Sequence, residues 1–149
     1  MPIKPENKAR YPENWLEIRA AVLARAGHRC ERCKAQNLTR VCRGAGSDAD
    51  TYMTDDAHIY DANTGEHLGR RRMGDYEVAG FVKIVLTIAH LDHTPENCAM
   101  ENLRAWCQRC HLRYDAQHHA INARETRRSR KAVSDLFGPT PASKTEDRA

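Results

Sequence analysis

The chain has 149 residues, of which 40% are hydrophobic, with only two Phe and two Trp and a net charge of +4. This length suits one domain with an insertion and a tail, and so few large aromatic side chains favour a small core that a metal ion helps to hold together. No apolar signal segment is visible, and the longest apolar run, residues 81–89, is too short to span a bilayer and contains Lys83. We therefore expect a soluble cytoplasmic protein with no membrane partner, whose mild basicity suits a polyanion.

The first predicted helix follows a short arm. Residues 1–11 are polar and contain prolines, which predicts a flexible arm. Pro12 suits a first helical position, and apolar side chains recur at helical spacing up to Ala26, where Gly27 provides a C-terminal cap. Residues 12–34 are therefore predicted to form a helix followed by a tight turn that contains Cys30 and Cys33.

Residues 35–77 show no sustained periodicity and are rich in Asp, Gly and Arg. We interpret them as an insertion that is a candidate for mobility. Within it, residues 58–68 are typical of a hairpin that turns at residues 63–65. The three arginines at 70–72 have two interpretations, a solvated loop and a phosphate-binding patch.

Residues 78–132 contain the strongest regular signals. The run VAGFVKIVLTIA, residues 78–89, is rich in β-branched side chains and predicts one buried strand. A loop over residues 94–102, a short second strand over residues 103–106 and a long helix from Gln108 follow. Residues 133–149 are predicted to be a disordered tail.

Two pairs of cysteines have the spacing of metal-binding turns. Cys30 with Cys33 and Cys107 with Cys110 can together supply the four thiolates of a structural Zn²⁺ site, and a reducing compartment favours metal ligands over disulfides. The alternative is redox-active or merely buried thiols. Cys42 and Cys98 are predicted to be free thiols.

A second set of polar residues lies between these pairs. Hydrolysis of a phosphodiester requires an activated water and a cation on the non-bridging oxygens. A histidine is a suitable base near neutral pH, and a carboxylate with an imidazole can hold a divalent ion. Asp92 and His93 are adjacent at the predicted end of a strand, so their side chains diverge, and His111 begins the following helix.

Asp92, His93, Asn102 and His111, with the two cysteine pairs and the phrase NLRAWCQRCHLRYD, resemble the HNH endonucleases of ββα-metal fold. The likeness is greatest to the small zinc-stapled versions of phages and prophages. It is strong over residues 88–120 and supportive over residues 11–33. The resemblance implies an α+β fold whose ββα-metal core occupies residues 78–132.

The resemblance also implies a role for each residue. His93 is the expected general base, and Asp92 and His111 are the expected ligands of one catalytic ion, Mg²⁺, Mn²⁺ or another transition ion. Asn102 is expected to hold the loop that orients the His93 ring, with Asn97 as the competing candidate.

Four further residues near the motif have open interpretations. His90 shares a strand face with Asp92 if the alternation continues, so contact with substrate or metal competes with a structural role. Asp115 is a candidate partner for a metal-ligating histidine. His118 and His119 suit an exposed helix surface, and a phosphate or metal contact is the alternative.

The implied substrate is double-stranded DNA, nicked with little sequence preference by a monomer, or cut through by a homodimer. Basic side chains near the motif and on the long helix are candidate phosphate contacts: Arg104, Arg109, Arg113, Arg124, Arg127 and Arg128. For the helix, a solvated basic end is the competing interpretation. An inactive zinc-containing DNA-binding module, or one associated with phage packaging proteins, is the alternative function.

Overall fold

The computed structural model describes residues 5–137, without the side chains of residue 6 and residues 132–137. The fold is mixed α+β, as predicted. Its helices and strands, in chain order, are α1 Trp15–Arg25, β1 Arg40–Gly44, β2 Thr51–Met53, β3 His58–Asp61, β4 His67–Arg70, β5 Val78–Lys83, β6 Leu86–His90, β7 Leu103–Cys107 and α2 Gln108–Phe137. Short 3-10 turns cover Pro5–Arg10, Gly46–Asp48, Met73–Asp75 and Met100–Asn102.

Helix α1 confirms the predicted N-terminal helix. Val22 and Leu23 are buried on its inner side. Gly27 and His28 both have positive φ, 58° and 54°. The His28 amide donates to the Leu23 carbonyl over 2.9 Å, so the left-handed residues end the helix and satisfy one of its last carbonyls.

Residues 35–77, interpreted from the sequence as an insertion, contain four of the five strands of an antiparallel sheet, in the order β4-β3-β2-β1-β5. The hairpin predicted for residues 58–68 is confirmed as β3 and β4. The sheet has its own buried cluster of Cys42, Met53, Ile59 and Tyr76. The other strands gave no signal in the sequence, because short strands interrupted by turns and bulges leave no sustained alternation.

The prediction of one buried strand over residues 78–89 is wrong. The run divides into β5, which pairs with β1, and β6, which pairs with β7. Ile84 is fully buried where the chain passes from one sheet to the other, whereas Phe81 in β5 is 56% exposed. β-Branched composition indicates extended backbone, but it does not reveal where a strand changes its pairing partner.

The hairpin of β6 and β7 followed by α2 confirms the predicted strand, loop and helix order. Its register runs from Leu86 opposite Cys107 to His90 opposite Leu103. Because β6 ends at His90, Asp92 lies in the following turn, and the prediction that the two share a strand face is wrong. Helix α2 continues to Phe137, into the predicted tail, while residues 138–149 lie outside the described part.

The main core joins α1 to the β6–β7 hairpin through Val22, Leu86, Leu103 and Ala105. The chain divides after Tyr114 into two compact units, the second of which begins at Asp115. None of the described helices is long and apolar enough to cross a membrane.

Candidate functional site

The four cysteines of the two pairs form one buried cluster. The ligand atoms of Cys30, Cys33, Cys107 and Cys110 all lie within 4.8 Å of one another. The Cys33 and Cys107 sulfurs are 3.6 Å apart, far longer than a disulfide bond of about 2.05 Å. A tetrahedral ion with bonds of about 2.3 Å places its sulfurs about 3.8 Å apart. The cluster therefore can hold a metal ion such as zinc.

The thiols of this cluster lie close enough to hydrogen-bond to one another. Hydrogen bonds from Cys110, Cys30 and Cys33 hold the pKa of Cys107 far below its ordinary value. The same contact with Cys107 raises the pKa of Cys110. The Cys107 amide also donates to the Cys30 sulfur over 3.3 Å. The close set of four sulfurs suits a cation that replaces their protons.

Two neighbouring elements fix the first cysteine pair in place. The Glu31 amide donates to the Ala105 carbonyl over 2.9 Å, and the Glu31 carboxylate accepts from the Ala105 amide, which joins the turn to β7. From the larger sheet, the Tyr52 hydroxyl donates to the Cys33 carbonyl over 2.8 Å. A side chain at Gly65 would come within 2.9 Å of Cys33 backbone atoms, so the β3–β4 turn packs directly on this pair.

Asp92 lies in a network of hydrogen bonds that closes the loop between β6 and β7. Its carboxylate accepts from the Thr94 amide over 2.9 Å, from the Asn102 side chain over 2.9 Å and from the Asn97 side chain over 2.7 Å. Asn102 and Asn97, followed by the Thr94 amide, lower the pKa of Asp92 to about 2. Asp92 is therefore an anion in a fixed orientation, although its residue is exposed.

Asn102 makes more contacts in this loop than Asn97. Its side-chain oxygen accepts from the Asp92 amide over 3.2 Å, and its amide group donates to the Asn97 carbonyl over 2.8 Å. Its own carbonyl accepts from the Leu91 amide. Asn102 thus connects the residues that follow β6 to those that precede β7. The Asn97 side chain has two such contacts, a donation to Asp92 and an acceptance from the Ala99 amide at 3.4 Å.

His93 lies at the tip of the turn in an unusual backbone conformation, with φ at 56°. Left-handed φ is uncommon for a residue other than glycine and marks a constrained position. The ring stacks against Tyr114 of α2 at 5.5 Å between centroids, and the Tyr114 hydroxyl donates to the Leu91 carbonyl over 2.6 Å. The start of α2 therefore fixes both the turn and the imidazole plane.

His111 lies one turn before Tyr114 on the same helix and contacts the hairpin through Thr87. The Thr87 oxygen is 2.8 Å from His111 Nδ1, and the same hydroxyl donates to the Trp106 carbonyl over 3.2 Å. Because that hydroxyl has one proton, its oxygen accepts from Nδ1–H. The unprotonated nitrogen of His111 is then Nε2, the atom that a metal ion would bind.

His90 packs inside the molecule. Its ring stacks on Trp15 at 5.5 Å and meets the edge of Tyr11 at 5.8 Å. Burial lowers the pKa of His90, while the charge of Asp92 raises it and that of His111 lowers it. His90 therefore has a structural position between α1 and the loop, and it lies near enough to Asp92 and His111 to respond to both.

The remaining candidates divide between the two compact units. In the second unit, His119 lies 3.8 Å from the buried Asp115, and the rings of His118 and His119 are 6.5 Å apart. The roles predicted for these three residues remain predictions. Among the described residues, the four cysteines form the only tight cluster of three or more metal-binding groups, and Asp92 and His111 are not part of another.

The arginines predicted to bind phosphate have varied surroundings. Arg109 pairs with Asp50 and donates to the Ala62 carbonyl, and Arg113 contacts Asn63, so both bind the larger sheet. Arg104 donates to the carbonyls of Glu101 and Leu103. In the second unit three helical arginines are exposed: Arg124, Arg127 and Arg128. Phosphate binding by these six residues remains a prediction.

Sequence reasoning missed several residues that position the loop. Arg25 of α1 donates to the Met100 and Leu103 carbonyls, each over 2.6 Å, on either side of Asn102. Thr87 and Tyr114 hold His111 and His93 as described above. These contacts join residues distant in the chain, so no local spacing signals them; only the polar Thr87 within an apolar strand was a visible clue.

Comparison with protein-family models, curated proteins and solved structures gave no match to this chain.

Proposed function

We propose that this protein is a metal-dependent endonuclease of the HNH type, with a ββα-metal core, that hydrolyses phosphodiester bonds of double-stranded DNA. The main support for this proposal is the structure of the loop between β6 and β7, where Asn102 holds the Asp92 carboxylate in place beside His93. An exposed carboxylate that is ionised and oriented is suited to a divalent ion, and the adjacent imidazole is suited to a water.

In this proposal His93 removes a proton from a water molecule, whose oxygen forms a bond to the scissile phosphorus. The bond from phosphorus to the 3′ oxygen breaks, and that oxygen takes up a proton from solvent. When bound, a divalent ion would supply positive charge at the scissile phosphate. The stacked Tyr114 ring keeps the imidazole plane fixed, which lowers the cost of reaching the reactive geometry. The products carry 5′-phosphate and 3′-hydroxyl ends.

Asp92 and His111 are the proposed ligands of that ion. Two protein ligands leave other coordination positions for phosphate and water, as a catalytic site requires. Thr87 supports the assignment because its contact with Nδ1 orients His111 for ligation through Nε2. The four cysteines are proposed to bind a separate structural Zn²⁺.

Double-stranded DNA is proposed as the substrate because of charge. The chain has a net charge of +4, and exposed arginines follow one another along the later part of α2. Contacts of this kind with phosphates are independent of sequence and weaken as salt increases. Cleavage with little sequence preference follows.

A plasmid-nicking assay with Mg²⁺ or Mn²⁺ tests the proposal, with the zinc-loaded wild type and His93→Ala compared. We expect His93→Ala to reduce the nicking rate at least about 100-fold, as loss of a general base does. His28→Asn is the matched control, since it removes an exposed histidine outside the β6–β7 loop and Asn tolerates the same left-handed backbone. If the wild type nicks the plasmid with none of the divalent ions, the proposed endonuclease activity is refuted.

One observation favours the alternative, an inactive zinc-containing DNA-binding module. Both oxygens of Asp92 already accept hydrogen bonds from the loop, so the network is satisfied without an ion. Salt-sensitive binding of duplex DNA by the wild type, without cleavage under any divalent ion, would establish that alternative.

A further inference from the structure

The β3–β4 hairpin places two histidines, His58 and His67, side by side. His58 lies opposite Arg70 and Ile59 opposite Gly69, but the register then shifts so that Tyr60 lies opposite His67. In an unshifted ladder Tyr60 would face Leu68, and His67 would point to the other side of the sheet. The bulge moves His67 onto the side occupied by His58 and Tyr60.

Gly69 allows this bulge. Its φ is +116°, a backbone conformation that other residues rarely adopt, and no neighbouring atom lies within 4 Å of a Cβ built there. The positive φ of the backbone therefore favours glycine here, and close packing does not. This bulge places the two imidazoles side by side at the sheet surface.

The two rings meet through a hydrogen bond, whose single proton a bound ion would replace. His58 Nδ1 lies 2.8 Å from His67 Nε2. The other nitrogen of His58, Nε2, lies 3.7 Å from the Asp56 carboxylate, which in turn accepts from the Thr54 hydroxyl. At 3.7 Å this is an ion-pair separation and not a hydrogen bond, so Asp56 supplies negative charge beside the ring without fixing its tautomer.

We propose that His58 and His67 form a second metal site, which binds a divalent transition ion through His58 Nδ1 and His67 Nε2. With bonds of about 2.1 Å, two nitrogens 2.8 Å apart subtend about 85° at the ion. This is close to the right angle of tetragonal or octahedral coordination and well below the tetrahedral angle. The geometry therefore favours Ni²⁺ or Cu²⁺, with water in the other positions.

This site is separate from the cysteine cluster and from the loop of Asp92. It does not rest on the proposed endonuclease activity, because its residues belong to the larger sheet. Its ligands are two borderline imidazole nitrogens, in contrast to the four thiolates of the cysteine cluster and to the mixed carboxylate and imidazole proposed at Asp92 and His111. An ion there would join β3 to β4 across the surface of the sheet.

Calorimetric titration with Ni²⁺ at pH 7.5 tests the proposal on zinc-loaded protein. His111→Ala is used as the background, so that the loop does not compete for the ion. We expect one Ni²⁺ per chain, and at least tenfold weaker binding when His58→Ala or His67→Ala is added. His67 is exposed and His58 half-buried, so both variants should fold, which a thermal melt checks.

His28→Asn in the same background is the control, because it also removes one imidazole from the surface. Its affinity for Ni²⁺ should be unchanged. NMR should show selective broadening of the His58 and His67 ring signals by the paramagnetic ion. The proposed site would be wrong if Ni²⁺ bound equally well to the background protein and to the His58→Ala and His67→Ala variants, or if His28→Asn weakened Ni²⁺ binding as much as they do. Either result would hold whatever the outcome of the nicking assay.

Discussion

A polar cluster lies at each end of strand β7, and the two clusters differ in how exposed they are and in what supports them. At its C-terminal end the four cysteines are at most 1% exposed, and their sulfurs contact one another. At its N-terminal end Asp92 and His93 are exposed, and their supports are amides, a backbone turn and an aromatic ring. A closed set of ligands suits a structural ion, and an open set suits chemistry. The contrast predicts that changes at the cysteines affect mainly stability, and that changes at the loop affect mainly the proposed activity.

The strongest test of this contrast is removal of one sulfur. If the cluster binds the proposed structural zinc, Cys107→Ser should abolish cooperative unfolding and zinc retention, because binding of such an ion contributes about 10 kcal/mol or more to folding. Circular dichroism melts with metal analysis measure this. Cys98→Ser is the control, since Cys98 lies outside the cluster and a hydroxyl can keep its hydrogen bond to the Pro95 carbonyl. A folded, metal-free Cys107→Ser protein would show that the cluster is dispensable.

At the other end of β7, loss of a loop contact should affect activity more than folding. Asn102→Ala should reduce nicking by about 10–100-fold, the usual effect of removing a residue that orients a metal ligand. Asn97→Ala should reduce it less, because Asn102 also holds the Asp92 amide and the Asn97 carbonyl. Rates and melting curves of the two variants are compared. A larger loss in Asn97→Ala would reverse the assignment.

The contact between the larger sheet and the cysteines is tested at Gly65. Its φ is +79°, and a Cβ there would meet Lys34 Cγ at 2.5 Å and the Cys33 carbonyl carbon and oxygen at 2.9 Å. Gly65→Ala should therefore lower the free energy of unfolding by about 1–3 kcal/mol. Urea denaturation measures the change. Gly74→Ala, where no atom lies within 4 Å of the new Cβ, should have little effect.

The smallest expected effect is a pH dependence at Asp92. Its pKa in the folded protein is about 2, below the ordinary 3.8, so the carboxylate contributes stability above pH 4 that is lost as the pH falls towards 2. Asp92→Asn has no such carboxylate and should lose less stability over this range. Melts without divalent ions, from pH 5 to 2, measure the difference. Identical slopes would show that the amides do not stabilise the anion.

The parts of the fold that follow from sequence are those with local signals. Helix α1, its end at Gly27 and the order of β6, β7 and α2 were predicted from periodicity, caps and the motif. Strands β1 to β4 were not, apart from the hairpin, because their buried positions do not alternate regularly and the register of β1 with β5 shifts at Gly44. Their pairing is set by long-range contacts that no local window contains.

The candidate site shows the same division. The cysteine cluster follows from spacing alone, and the structure brings its four members together. The supports of the loop were missed because they come from Arg25 on α1, from Thr87 on β6 and from Tyr114 on α2. The sequence indicates which residues have suitable chemistry, while tertiary contacts determine how each is oriented.

The distance in sequence between the two cysteine pairs has a consequence for how the chain tolerates change. Cys33 and Cys107 are 74 residues apart, so an ion at the cluster closes one long loop that contains the whole five-stranded sheet. The entropy of closing such a loop depends on the logarithm of its length, and doubling it costs only about 0.6 kcal/mol. Segments added at exposed turns of the sheet should therefore barely weaken the cluster, provided that Tyr52 and Gly65 keep their contacts with Cys33.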